Sequence, residues 1–194
     1  MQNQIESLIS VLNNVEKIDN EIHLAADMIS EAFKNGNKLM LCGNGGSAAE
    51  AQHIAAEYVS SLRHEVKREA LPAIALTTDT SFITANGNDY GFDGIFSRQI
   101  EALGKSGDIL IAISTSGTSK NVVKAIETAK QKGIKVIGLT GESGGPMFNS
   151  VDILLKVQSK ETMRIQETHL FIEHTICDLV EKNLFSAQLL TNVK

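Results

Sequence analysis

"DILIAISTSGTSKNVV", residues 108–123, decides how this chain folds. An apolar run from Ile109 to Ile113 enters a loop of small hydroxyl residues around Gly117, and the loop enters a segment with helical spacing. Residues 38–53, "KLMLCGNGGSAAEAQH", repeat that order with a glycine-rich corner. Both runs are apolar at every position rather than every second one, the pattern of a strand covered on both faces in a parallel sheet.

Working outward, "KLMLC", "PAIALT", "DILIAIS", "KVIGLT" and "DILLKV" are short apolar runs, separated by helix-like segments at about 47–61, 94–104, 119–132 and 163–185. Strands alternating with helices predict a three-layer α/β/α sandwich with a five-stranded parallel sheet and long helices at both ends. Residues from about 3 to 34 read as one long helix, with Ile5, Leu8, Ile9, Leu12, Val15 and Ile18 at three- and four-residue intervals. Its apolar stripe has two outlets, a second subunit or the chain's own sheet. The expected organisation is one domain over 1–194, with a helical extension over about 1–35.

The bulk composition excludes several classes. A net charge of -5 without a basic block argues against nucleic-acid binding, and no stretch approaches the ~20 apolar residues that cross a bilayer. A cytoplasmic protein is expected. Cys42, in a predicted strand, and Cys177, in a predicted helix, read as buried free thiols.

In open parallel sheets, ligands collect at the carboxyl ends of the strands, where loops run into helix N-termini. At the second corner Ser114, Thr115, Ser116 and Ser119 gather at such a terminus. Hydroxyls and helix-end amides there make an anion site without a cationic side chain, suited to a phosphate monoester. At the first corner Gly43, Gly45 and Gly46 allow close backbone approach, and Ser47 is placed to cap the next helix. "LTGESGGPM" reads as a plain turn. Asn88 and Asp89, in "TANGNDYGF", read as loop residues able to hold sugar hydroxyls or to turn the chain.

Acid and base candidates follow. His53 and Glu57 are four residues apart on one helix face, and Gln166, His169, Glu173 and His174 stand in "RIQETHLFIEHT". Gln166 and His174 are eight residues apart, about 12 Å along a helix, so they meet one small ligand by reaching toward each other or by sharing a site between subunits. His169 and Glu173 are expected to be exposed or interfacial.

Taken together, "CGNGGS", "STSGTS", "AQHIAAE", "GNDYGF", "FSRQIEALG" and "RIQETH" resemble the sugar isomerase (SIS) domain family, in particular its phosphoheptose isomerases, nearly end to end. The resemblance implies conversion of D-sedoheptulose 7-phosphate to D-glycero-D-manno-heptose 7-phosphate, in a homotetramer with active sites between subunits. It implies Glu57 as base and His174 as acid, and a phosphate loop of Ser114, Thr115, Ser116 and Ser119. Sugar contacts would fall to Asn44, Gly45, Gly46, Asn88 and Asp89, with Glu57 and Gln166 also at the substrate. Some members bind zinc through residues matching His53, Glu57, Gln166 and His174.

The chain departs from the family pattern after Glu57, where "EYVSSLRHEVKREALP" carries two extra residues and leaves Arg63 and His64 out of register with an Arg-Tyr pair. The alternative function is a non-enzymatic SIS tetramer of the type that associates with the replication initiator DnaA. The segment "NLFSAQ" resembles the tail of that relative, but a scaffold has no use for a carboxylate and an imidazole near a phosphosugar loop.

Overall fold

A computed structural model describes residues 1–63 and 66–189, so His64 lies outside the described residues. The sheet holds β1 (Leu39–Cys42), β2 (Ala73–Ala75), β3 (Ile109–Ser114), β4 (Lys135–Thr140) and β5 (Ile153–Lys156), all parallel, in the order β2-β1-β3-β4-β5. The helices are α1 (Gln2–Leu12), α2 (Asp19–Lys34), α3 (Gly46–Val59), α4 (Thr80–Tyr90), α5 (Ser97–Leu103), α6 (Lys120–Gln131) and α7 (Thr162–Leu189). This is the expected three-layer sandwich.

The alternation of buried side chains shows why the strands are apolar throughout. Leu39, Leu41, Ile109, Ile111 and Ile113 join the core formed with α2, α3 and α7, while Met40, Cys42, Leu110 and Ala112 join the core formed with α5 and α6. Each face of β1 and β3 is covered, so every position needs an apolar side chain. Cys42 and Cys177 are buried and unpaired with each other, and burial pushes both thiols up to about 12.

Three readings change. The expected single helix over 3–34 is two helices joined by a 3-10 turn at Val15–Ile18. At the break, Asn14 donates to the Ser10 carbonyl and accepts from Lys17 Nζ, so side-chain bonds replace the helical ladder there. The segment holding Asn88 and Asp89 is the last turn of α4 rather than a loop, and that helix is capped by Asp79, whose carboxylate accepts from the Phe82 amide. Ser47 lies inside α3 instead of capping it, since the cap position belongs to Gly45 at φ +58°, a conformation natural to glycine.

Candidate active site

The strand order reverses between β1 and β3: the chain leaves β1 toward β2 on one side and continues from β3 to β4 on the other. The two corners quoted above therefore sit side by side at the carboxyl edge, flanking the crevice where ligands bind in such sheets. They are also tied together. The Asn44 and Asn121 carboxamides exchange two hydrogen bonds, 2.9 and 2.8 Å, across the crevice. Asn121 carries no glycine or hydroxyl signal in the sequence, and its role follows only from the strand order.

The corners differ in what they offer. At the first, Gly45 and Gly46 are exposed and present bare backbone, and a Cβ on Gly46 would strike the Gln166 carboxamide. At the second, Ser114 Oγ donates to Ser119 Oγ at 3.0 Å, and the Ser116 and Thr118 hydroxyls lie 2.8 Å apart. No side chain caps α6 at Ser119, so its N-terminal turn faces the loop. Thr115 and Ser116 also line a cleft of about 230 Å³ with Ser143, Ser159 and Lys160. The β5–α7 connection adds Lys160 to this cleft, and Glu142 lines it as well, so the loop has one side chain of each charge beside its hydroxyls. Gly43, Asn44 and Gly45 line a second cleft of about 150 Å³ with Thr77 and Phe92. Asn88 and Asp89 are exposed and bonded to each other at 2.8 Å.

The wall formed by α3 and α7 carries the titratable groups. His53 Nε2 stands 2.8 Å from His174 Nε2 and 3.6 Å from Glu57 Oε1, with the imidazole rings edge-to-face. Ligand atoms of the three residues all lie within 4.8 Å of one another. Burial and the neighbouring His53 hold the His174 imidazole below its ordinary pKa, against a smaller upward pull from Glu57. His174 therefore faces the site neutral at pH 7. Two imidazole nitrogens and a carboxylate oxygen at these separations form a donor set that zinc accepts, with room for a further ligand. Gln166 stands apart, two turns along α7 from His174 and against Gly46.

His169 and Glu173, expected to be exposed or interfacial, are fully buried within the chain itself, at 0% and 1% exposure. The α7 stripe that packs on α3 and β4 includes them because α7 is covered on more of its circumference than an amphipathic pattern suggests. Burial lowers the His169 pKa to about 4 and raises that of Glu173, which is pushed further by Glu50. Arg63 pairs with Asp178 on α7, Nε to Oδ1 2.7 Å, which gives the departing segment a structural anchor.

Residues 4–141 match the SIS domain. The chain is 51% identical over 182 residues to the phosphoheptose isomerase of Campylobacter concisus, covering 94% of this chain and 95% of that one. Among solved structures, phosphoheptose isomerase from Neisseria gonorrhoeae superposes with a TM-score of 0.87 at 43% identity, covering 93% and 96% of the two chains. That from Francisella tularensis gives 0.88 at 42%, with the same coverage. The chain belongs to the SIS domain family and, within it, to the phosphoheptose isomerases.

Proposed function

We propose that this protein is an aldose-ketose isomerase that converts D-sedoheptulose 7-phosphate to D-glycero-D-manno-heptose 7-phosphate, with the chemistry on the α3–α7 wall. The observation that carries this reading is the convergence of His53, Glu57 and His174 on one patch. The relatives named above support the substrate. The DnaA-associating alternative is not favoured by these relatives.

Moving the carbonyl from C2 to C1 requires a proton to leave C1 and arrive at C2 through an enediol. Glu57 removes the C1 proton, the electron pair forms the C1–C2 double bond, and the C2 carbonyl oxygen takes a proton from His174. Glu57 then returns its proton to C2, while His174 recovers one from the C1 hydroxyl as the new carbonyl forms. A neutral imidazole suits this exchange, since it donates at one nitrogen and later accepts there. The phosphate rests on the Ser114, Thr115, Ser116 and Ser119 loop. Asn44, Gly45, Gly46, Asn88, Asp89 and Gln166 hold the sugar.

Zinc is the proposed cofactor, which His53, Glu57 and His174 would hold, with Gln166 the further ligand that the family resemblance implies. It would supply electrophilic stabilisation of the substrate oxygens. Metal analysis is expected to find one zinc per chain, and His53→Ala to lose it.

The assembly is a homotetramer with active sites between subunits. Glu57 lies eleven residues beyond Gly46 on α3, about 16 Å along its axis, which supports a site completed by a second chain. Exposed Ile5 and Ile9 on α1, with Phe171 on α7, supply apolar surface for such packing. The protein acts in the cytoplasm, a placement supported by its buried free thiols, as a single SIS domain with residues 1–35 as a helical extension. Among the described residues no helix is long and apolar enough to cross a membrane. Assay of sedoheptulose 7-phosphate conversion, with and without chelator, tests activity and metal together. Absence of conversion in the metal-loaded tetramer contradicts the reading.

A further inference from the structure

We infer that Arg68 and Glu181 are positioning residues for the reaction, holding Glu57 opposite His174 through the ends of the helices that carry them. The inference rests on the isomerase reading above.

The Arg68 side chain is fully buried, and its guanidinium serves chiefly the end of α3, with one further bond from Nη1 to the Glu69 carbonyl at 2.9 Å. Nη2 donates to the Glu57 carbonyl at 2.8 Å and Nη1 to the Tyr58 carbonyl at 2.9 Å. These are among the last carbonyls of the helix, which find no partner inside it, and a cation there also meets the negative end of the helix dipole. Nε donates to Glu181 Oε1 on α7 at 2.7 Å, and the same oxygen accepts from the Leu62 amide at 3.1 Å. Both side chains have 0% exposure. The Phe185 ring lies 5.8 Å from the guanidinium carbon, at the point where α7 kinks.

The clamp bears on the site through helix geometry. Glu181 is seven residues past His174, two turns further along nearly the same face of α7. Arg68 therefore joins the backbone of Glu57 to a point two turns beyond its reaction partner. At the other end, Gln166 abuts Gly46, which fixes where the two helices start. The group of His53, Glu57 and His174 lies between these two fastenings, and its separations follow from them.

Energetics point the same way. A fully buried ion pair gains little stability over apolar side chains of equal volume, because desolvation of both charges offsets their attraction. Among the described residues Glu181 Oε2 even lacks a hydrogen-bond partner. The pair is thus poorly explained as a stabiliser, whereas a guanidinium fork that fixes three carbonyls and one carboxylate in a single geometry suits alignment.

The test is the double variant Arg68→Met with Glu181→Leu, which replaces the pair by apolar side chains. It is expected to fold and to keep KM within about twofold, whatever the change in Tm from the lost bonds to the helix-end carbonyls and the Leu62 amide. Its kcat should fall by roughly tenfold to a hundredfold, since displacement of reacting groups by about 1 Å is that costly. A purely structural pair would change Tm and leave kcat per folded tetramer unchanged, and an unchanged kcat overturns the inference. If the double variant does not fold, Arg68→Lys, which keeps the charge but not the fork, is read by the same split between kcat and KM. The parent enzyme and Glu57→Gln, run in parallel, separate the claims: no conversion by the parent defeats the isomerase reading, full activity in Glu57→Gln defeats the assignment of Glu57 as base, and an active parent with an inactive Glu57→Gln beside an unimpaired clamp variant defeats the positioning role alone.

Discussion

The mouth of the sheet and the α3–α7 wall divide the work differently. The mouth is made of exposed glycine backbone, hydroxyls and helix ends, with Glu142 and Lys160 beside the hydroxyl loop, groups suited to binding an anion and sugar hydroxyls. The wall carries His53, Glu57 and His174 on rigid helices, half-exposed, with a buried ion pair behind them. Binding and chemistry are thus separable by mutation. Changes at the mouth should move KM, and changes on the wall should move kcat.

Glu57→Gln breaks this comparison most severely if it fails to act. Loss of the base should cost roughly 10²- to 10⁴-fold in kcat with KM little changed, measured by steady-state turnover of the heptose phosphate. Next, Ser116→Ala together with Ser119→Ala removes hydroxyls from the phosphate loop. Charge-assisted hydrogen bonds of about 1.5–3 kcal/mol predict a rise in KM on the order of tenfold or more, with kcat near the parent value. A smaller effect of the same kind is expected for Asn121→Ala, which unties the two corners: a few-fold higher KM, checked with the same assay.

The wall also sets pH behaviour. Because burial and His53 keep His174 below its ordinary 6.5, activity should stay level down to that pH and fall only on further acidification, as a pH profile of kcat will show. Glu50 behaves oppositely in stability. Burial raises its pKa from 4.5 to about 7, so the folded state keeps a proton that the unfolded state releases, and stability falls as pH rises through that range. Glu50→Gln should therefore be more stable than the parent above pH 7, with the gap closing toward pH 4.5, as read from urea midpoints.

Much of this was legible in the sequence, for identifiable reasons. The parallel sheet follows from β1 and β3 being apolar at every position, and the cluster of hydroxyls ahead of α6 from their place between an apolar run and a helical period. His53 and Glu57 share a face by their spacing of four residues. What escaped depends on contacts between distant segments. Asn121 meets Asn44 because the strand order puts β3 beside β1, and Lys160 lines the same cleft as Thr115 because β5 lies beyond β4. His169 and Glu173 were misplaced because their polarity predicts exposure, while α7 is covered on the side they occupy. The break after Leu12 escaped because Ile5 to Ile18 keep helical spacing straight through it.

The most direct test of the division between mouth and wall is proton exchange at the reacting carbons. Sedoheptulose 7-phosphate incubated with the enzyme in D₂O and followed by NMR should give aldose carrying solvent deuterium at C2, and Glu57→Gln should give neither product nor exchange at C1 while still binding the substrate. Undiminished exchange in Glu57→Gln, or conversion that depends on the mouth residues alone, would contradict it.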